Sequence, residues 1–594
     1  MVTLTGLATS RGFASGPVFL HTAGDFDLPV PECTVPQSRV DAEIARHHAA
    51  RQESRRQIEG LIKRLGDATA ANVFANHLAI LDDELFVGQV DDTIRRERIN
   101  AEAAIRRVVG GFRERFGRMD DPYLRERIRD IEDIERRFMR ILLGREETVL
   151  SSIAEPVVVV ADDLAPSETV ALPRECVLGI ATDHGSTTSH VALLSRALGI
   201  PAVVGLGDVT QRVRPGDHVL LDGSNGTVTV NPDAATTADF KRLIRREGEL
   251  RALLDEDRQR PGAMKDGTPL KLVANIQPGV PFGSLAAFGA QGVGLYRTEY
   301  LWIGSDHEPT EEEQFAAYSE AVKAALPVMG PDARITFRCL DLGGDKLMRG
   351  TRSAEANPFL GNRSIRWLLG HRDTFRAQLR AILRASAFGK AAVMYPMIAT
   401  LQELRQCNEE LLGVMDALRA EGVAFDEHIM RGAMIETPAA ALCADQLAPE
   451  VDFFSIGTND LVQYTLAADR GNEQVAYLSR PSDPAVVRLV ENTCRLAREG
   501  GIYTCVCGES ASDPVMAVLW VGLGVKVLSM GASCIPAVKK ALRAVTQAEA
   551  KELAADVLKS CSTLTADAIY LRCRDFLLAR MPDFDDMRTF FAAS

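Results

Sequence analysis

Tryptophan is scarce in this 594-residue chain, with three in all, and aromatic residues together reach only 6%. No apolar run attains the roughly 18 residues of a membrane-spanning helix, so no membrane insertion is expected. A surplus of positive charge is missing too, since 81 acidic residues face 68 basic ones for a net charge of -13. That balance argues against a general nucleic-acid binder, which needs a basic face. It leaves room for a basic protein partner or a local basic pocket for an anion. The opening segment, MVTLTGLATSRGFASGP, lacks the basic stretch and apolar core of a secretory leader. Eleven cysteines form no regular framework, and the nearest pair, Cys505 and Cys507, is a CxC and not the CxxC of a zinc site. Reduced thiols and a cytoplasmic location are the expectation.

What is present is ordinary globular composition, 46% hydrophobic and 25% charged. The length exceeds what one compact core serves, so several domains are expected. Residues 1 to 22 alternate small and apolar residues and predict one or two short strands. A helical stretch follows from Val40 to Gly144. In its last part Leu124, Ile128, Ile131, Ile134, Phe138, Ile141 and Leu142 recur at three- and four-residue spacing, the mark of an amphipathic helix. Pro122 near its start and Gly144 past its end punctuate it. From Pro156 onward, apolar runs such as Val157–Val160 and His218–Gly223 predict a small β-rich domain with a helix after His190. The opening strands join this domain, which makes the helical bundle an insertion. A charged helix around Ala238 to Arg258 reads as a linker. Eight apolar runs with helical sequence between most of them then predict a (β/α)8 barrel, in preference to an open doubly wound sheet.

The expected architecture is therefore a multidomain α/β chain. A β-rich domain is formed by residues 1–22 and 148–235, with a helical insertion at 30–147 and a helical linker at 236–261. A C-terminal (β/α)8 barrel takes residues 262–575, and 576–594 form a tail.

Such barrels carry their catalytic groups at the C-terminal ends of the strands. Those positions hold Arg297, Arg338, Glu436, Asn459 with Asp460, and Cys507, while Arg470 lies ten residues after Asp460. Arginine binds phosphate and carboxylate oxygens through paired donors, and two carboxylates plus substrate oxygens suit Mg2+. Any one of these charges could be a surface ion pair, and a lone cysteine is more often a buried apolar residue. Their joint position at successive strand ends carries the argument. His190 lies where a loop of small residues, Gly185-Ser-Thr-Thr-Ser189, runs into a helix whose free N–H groups favour an anion. His184 is a second candidate, but it precedes Gly185 and is not at the helix entry.

The segment Gly-Ser-Thr-Thr-Ser-His190-Val-Ala-Leu-Leu-Ser-Arg resembles the phosphohistidine signature of the phosphoenolpyruvate-utilising enzymes. Gly-Leu-Tyr-Arg297-Thr-Glu, Asp-Leu-Gly-Gly-Asp-Lys346, Asn357-Pro-Phe-Leu-Gly-Asn-Arg363, Glu436-Thr-Pro-Ala-Ala and Gly-Thr-Asn459-Asp460-Leu-Val-Gln-Tyr resemble the same family. Domain order and length narrow the resemblance to the Enzyme I group of the phosphotransferase system, over essentially the whole chain.

The resemblance implies a swivelling phosphohistidine domain that takes a phosphoryl group on His190 from phosphoenolpyruvate, releasing pyruvate. It implies transfer to the phosphocarrier protein HPr docked on the inserted bundle, and a homodimer through the barrel. Mg2+ would sit between Glu436 and Asp460. Arg297, Arg338, Asn459, Asp460 and Arg470 would hold substrate, Arg363 would support the basic cluster, and Thr169 would orient the histidine. Cys507 would protonate the enolate carbon. Two features bear on this. The loop His184-Gly185-Ser186-Thr187 departs from the Gly-Gly that many members carry, with the Thr-Ser-His core kept. Asn72 to Glu84 resembles the HPr-docking helix, with Asp82, Asp83 and Glu84 facing a basic rim on the carrier. A nitrogen-linked branch of the same system is the alternative, and it usually begins with an extra sensor domain. A dikinase or synthase relative would need an ATP-binding domain ahead of the signature, and a silent scaffold would have lost barrel residues; neither pattern is seen.

Overall fold

The computed structural model describes residues 1–21, 32–65, 74, 77–116, 122–144, 150, 153–186, 189–258, 260–303, 305, 307–343, 355, 357–470, 472 and 474–585. Two compact units emerge, Met1–Glu249 and Leu250–Ser594.

Three strands open the first unit, where one or two were expected: β1 Val2–Thr5, β2 Leu7–Ser10 and β3 Phe13–His21. Gly6 and the Arg11-Gly12 pair break what reads as one run into three. Helices α1 Val40–Leu65, α2 Glu84–Glu97, α3 Ala101–Phe116 and α4 Pro122–Leu142 follow. They bury a common core that includes Ile58, Val90, Ile105, Ile134 and Phe138. The stripe read for α4 therefore faces inward at Ile131, Ile134 and Phe138; the side chains of Leu124 and Ile128 lie outside the described set.

The chain then returns to the sheet through β4 Val157–Ala161, α5 Pro166–Ala171, β5 Val177–Thr182, α6 His190–Leu198, β6 Ala202–Val204, α7 Val209–Arg212, β7 His218–Asp222 and β8 Thr227–Val230. The eight strands order as β1-β8-β7-β3-β4-β5-β6-β2. β3, β4, β5 and β6 run parallel to one another. Parallel neighbours need crossovers. The insertion that carries α1 to α4 lies within the β3–β4 crossover, and α6 makes the β5–β6 crossover. One face of α6 meets the sheet core through Val191, and Leu194 joins the core of the bundle.

Helix α8, Ala234–Arg258, begins earlier than its charge pattern suggested, taking in the Ala-Ala-Thr-Thr stretch. Strands β9 Lys271–Ile276, β10 Val293–Arg297, β11 Ile335–Arg338, β12 Ala391–Tyr395, β13 Met430–Ile435, β14 Phe453–Ile456, β15 Tyr503–Val506 and β16 Val527–Met530 close into a parallel barrel. All eight coincide with the apolar runs read from the sequence. The barrel interior is filled by Leu295, Ala392, Met394, Met434, Phe453 and Cys507. The outward faces of its strands pack against the surrounding helices in a much larger core. The expected C-terminal tail needs correction. Leu577, Met581 and Phe584 are buried in that same core, so residues 576–585 are part of the barrel's packing. No described helix is long and apolar enough to cross a membrane.

Candidate active site

Two constellations hold the residues singled out by sequence, one in each unit.

The first surrounds His190. Ser189 caps α6, its Oγ accepting from the Ala192 N–H at 3.5 Å, and His190 is the first helical residue. A cavity of about 230 Å³ opens beside it. His21, Asp162, Glu168, His184 and the α4 residues Glu132 and Arg136 share its lining. His190 Nδ1 lies 3.6 Å from Asp130 Oδ1 on α4. The same carboxylate oxygen is 3.2 Å from His77 Nε2, and His77 Nδ1 is 3.7 Å from Asp133 Oδ2. Asp133 in turn accepts from Ser167 Oγ at 2.5 Å. Burial drives the Asp133 carboxyl upward, but His77, Arg137 and Arg136 outweigh it and hold the group below its ordinary value.

This buried chain from His190 to Ser167 escaped the sequence reading. Asp130 and Asp133 look there like members of a charged helix face, and nothing local marks them as inward-facing. Thr169 sits on α5 with its hydroxyl donating to Ala165 O at 3.0 Å. His184 lines the same cavity and pairs with Asp162 at 3.5 Å. Thr187 and Thr188 lie outside the described residues, as do Asn72, Val73, Ala75 and Asn76 of the docking segment. Asp82 is answered by Arg55 and, at 3.4 Å, by Arg51 on α1.

The second constellation is the C-terminal mouth of the barrel. Strand pairing sets Arg297 and Arg338 side by side at the ends of β10 and β11. A cavity of about 400 Å³ collects Arg297, Arg338, Arg470, Glu436, Asp460 and Cys507, with Asn459, Asp341 and Glu509 also on its wall. Arg363 is fully buried. It donates to Asp341 Oδ1 at 2.9 Å, Asp460 Oδ1 at 3.2 Å and Tyr464 at 3.1 Å. Asp341 also pairs with Arg338 at 3.2 Å, and Arg338 contacts Glu299. Asp460 reaches Arg470 at 3.6 Å. Burial alone would lower both guanidinium pKa values, but these carboxylates raise them, so the hub stays charged. Glu299 and Asp341 act here although sequence reading passed over them; both stood inside the quoted motifs.

Glu436 follows β13 and accepts from the Met397 N–H at 2.6 Å. Met397 holds a left-handed φ of 53° to make that bond, a strained backbone at the site. Burial first, then Asp460 and Asp341, push the Glu436 carboxyl well above the usual carboxylate range. A Cβ on Gly457 would come within 2.7 Å of Glu436 Oε2, so only glycine leaves that oxygen its space. An oxygen-rich, charge-frustrated carboxylate pair of this kind fits a hard divalent cation. Asn459 and Glu509 hold each other through Asn459 Nδ2 to Glu509 Oε1 at 3.2 Å and Glu509 N to Asn459 Oδ1 at 3.0 Å. Burial pushes the Cys507 thiol up to about 11, so it keeps its proton near neutral pH. Asp345 and Lys346 of the quoted motif lie outside the described residues.

Three family models cover most of the chain. Residues 251–547 match the PEP-binding domain of PEP-utilising enzymes, 5–127 the N-terminal domain and 153–226 the mobile domain. The chain is similar to a phosphoenolpyruvate-protein phosphotransferase of Geobacillus stearothermophilus, 42% identical over 94% of this chain and 95% of that protein. A protein of the same name from Haemophilus influenzae is 40% identical over 97% of this chain and 99% of its own length.

Proposed function

The chain belongs to the phosphoenolpyruvate-utilising enzymes, among the phosphoenolpyruvate-protein phosphotransferases, and from that premise we propose that His190 is its phosphoryl carrier. The observation that carries this reading is the convergence of Arg297, Arg338 and Arg470 on Glu436, Asp460 and a protonated Cys507 at one barrel mouth.

Arg297, Arg338, Arg470 and Asn459 hold the phosphate and carboxylate of phosphoenolpyruvate by charge-assisted hydrogen bonds. Arg363, enclosed between Asp341 and Asp460, keeps that hub in place. Glu436 and Asp460 would hold Mg2+, which when bound neutralises phosphoryl charge as the bond to the enol oxygen breaks. Asp130 faces the Nδ1 side of the carrier ring at 3.6 Å, and on this reading Nε2 is the attacking atom. Nε2 forms a bond to phosphorus as the bond from phosphorus to the enol oxygen breaks. The enolate takes a proton at its methylene carbon from Cys507 Sγ, and pyruvate leaves. The thiolate regains its proton from solvent. Thr169, on the helix beside the cleft, supports the ring's orientation.

Carrier and donor site belong to different compact units, so transfer requires the two to meet in line, with α8 as the connecting element. The acceptor is the histidine of HPr, docked on the inserted bundle, in service of sugar uptake in the cytoplasm. A homodimer through the barrel completes the reading and is checked by sedimentation velocity.

Labelled phosphoenolpyruvate with Mg2+ tests the central claim. Wild type should take up label and pass it to HPr, while His190→Ala should take up none. Equal labelling of the variant sinks the assignment.

A further inference from the structure

We propose that the N-terminal mouth of the barrel is a second ligand site, built for a small aromatic acid. It lies at the opposite strand ends from the catalytic groups. A cavity of about 480 Å³ opens there, within the range of small-molecule sites. Its lining comes from the starts of the strands, including Lys271, Thr336, Phe453, Tyr503 and Lys526, and from the Pro261-Gly262 and Pro269-Leu270 segments.

Two features define the ligand. The first is an aromatic floor. The Phe453 and Tyr503 rings stack at 5.4 Å with an interplanar angle of 12°. Room for the Phe453 ring depends on Gly432, because a Cβ there would come within 2.2 Å of the ring carbon Cζ. Phe453, 3% exposed, is held between Gly432 and Tyr503, so of the two rings Tyr503, the less buried, is the one left for a flat apolar body to lie on. The second is charge. Lys271, Arg334 and Lys526 line the cavity, and the acid among them, Asp332, is paired with Lys390 at 2.6 Å. Arg334 Nε is buried without a hydrogen-bond partner. Burial pushes the nearby Tyr503 hydroxyl up to about 12, with Arg334 pulling the other way, so it remains a neutral donor. An acid group at this rim would meet cations in excess of its own charge.

The site differs from the catalytic cavity yet shares a wall with it. Leu295, Met434 and Cys507 face the catalytic cavity and pack in one cluster with Phe453 and Tyr503 below. It also adjoins the root of α8. There Lys539 Nζ donates to the carbonyls of Arg258 at 2.8 Å and Arg260 at 2.9 Å, just before Pro261 enters the cavity wall.

Fluorescence titration of the full chain with anilinonaphthalene sulfonate, an aromatic anion, tests this. The expected result is one saturable site whose affinity does not change under saturating phosphoenolpyruvate. Lys271→Glu with Lys526→Glu, on exposed positions, should weaken binding at least tenfold. Thr336→Phe, filling the cavity, should do the same; if it fails to fold, the lysine pair decides alone. Lack of saturation, displacement by phosphoenolpyruvate, or unchanged affinity in a folded variant overturns the proposal.

Discussion

At the barrel mouth, Arg297, Arg338 and Arg470 share a wall with Glu436 and Asp460, and a buried fourth arginine, Arg363, braces them from behind. With Asp341 and Glu509 also on that wall, four carboxylates there meet four arginines, whereas around His190 the acids are in excess. Among the described lining residues, Glu132, Asp162, Asp163 and Glu168 accompany a single arginine, Arg136. On the proposed mechanism the same phosphoryl group visits both places. The mouth is built to hold an anion while a bond breaks. The cleft offers it a helix N-terminus but also like charges nearby, which suits a group that is taken up and handed on. The two sites also differ in how they tolerate loss. At the mouth a lost carboxylate leaves a guanidinium that keeps its charge, whereas the partners of Asp130 are imidazoles.

Removing one carboxylate from each hub sharpens that contrast. Asp341→Ala leaves Arg338 and Arg363 buried with one partner fewer each, so the barrel should lose about 3–5 kcal/mol in denaturant unfolding. Asp130→Ala, equally buried, should cost only about 1–2 kcal/mol, because the loss falls on imidazole contacts of 3.2 and 3.6 Å and strips no buried guanidinium of a partner. Equal costs would break the comparison. Activity divides the sites in another way. Cys507→Ala should slow pyruvate formation by about 10²-fold or more, the usual worth of a general acid. It should leave phosphoryl exchange between HPr and His190 unchanged, since that step never visits the barrel. With its thiol pushed up to about 11 by burial, Cys507 should also resist iodoacetamide at pH 8 and react only as the pH approaches that value.

The barrel was more legible in the sequence than the cleft, and the reason is geometric. A strand end is a local feature. Arg297, Glu436 and Asp460 each follow an apolar run, so eight runs order the mouth before any contact is known. Even there, Asp341 and Glu299 were passed over, because Glu299 pairs with an arginine some 40 residues away and Asp341 with one 22 residues away, and neither pairing leaves a local sign. The cleft is assembled across the insertion. His190 meets Asp130 sixty positions earlier, and that contact follows from how α4 packs against α6, which periodicity does not report. Periodicity did orient α4 itself, since Ile134 and Phe138 are buried as the spacing predicts. It could not tell which of its acids lie inside. The C-terminal segment misled for the opposite reason. Its short apolar content reads as a tail, yet Met581 and Phe584 find a partner surface that only the closed barrel supplies.

The smallest effect should come from the bundle's outer face, where the acidic segment read as a docking surface meets the solvent. Asp82 is half exposed and already paired with Arg55 and Arg51. Those arginines hold its carboxyl below the usual range, the hydrogen bond to Arg55 contributing most. Exposed pairs of this kind contribute at most about 1 kcal/mol. Asp82→Ala should therefore barely change unfolding, and the freed arginines should turn the local surface more basic. If HPr docks there with a basic rim, transfer should fall by about two- to fivefold at low salt and recover toward wild type as salt rises, because exposed charges are screened beyond roughly 10 Å at 0.1 M. A loss that persists at high salt would mean that Asp82 organises the helix and not the encounter, and would move the docking face elsewhere on the bundle.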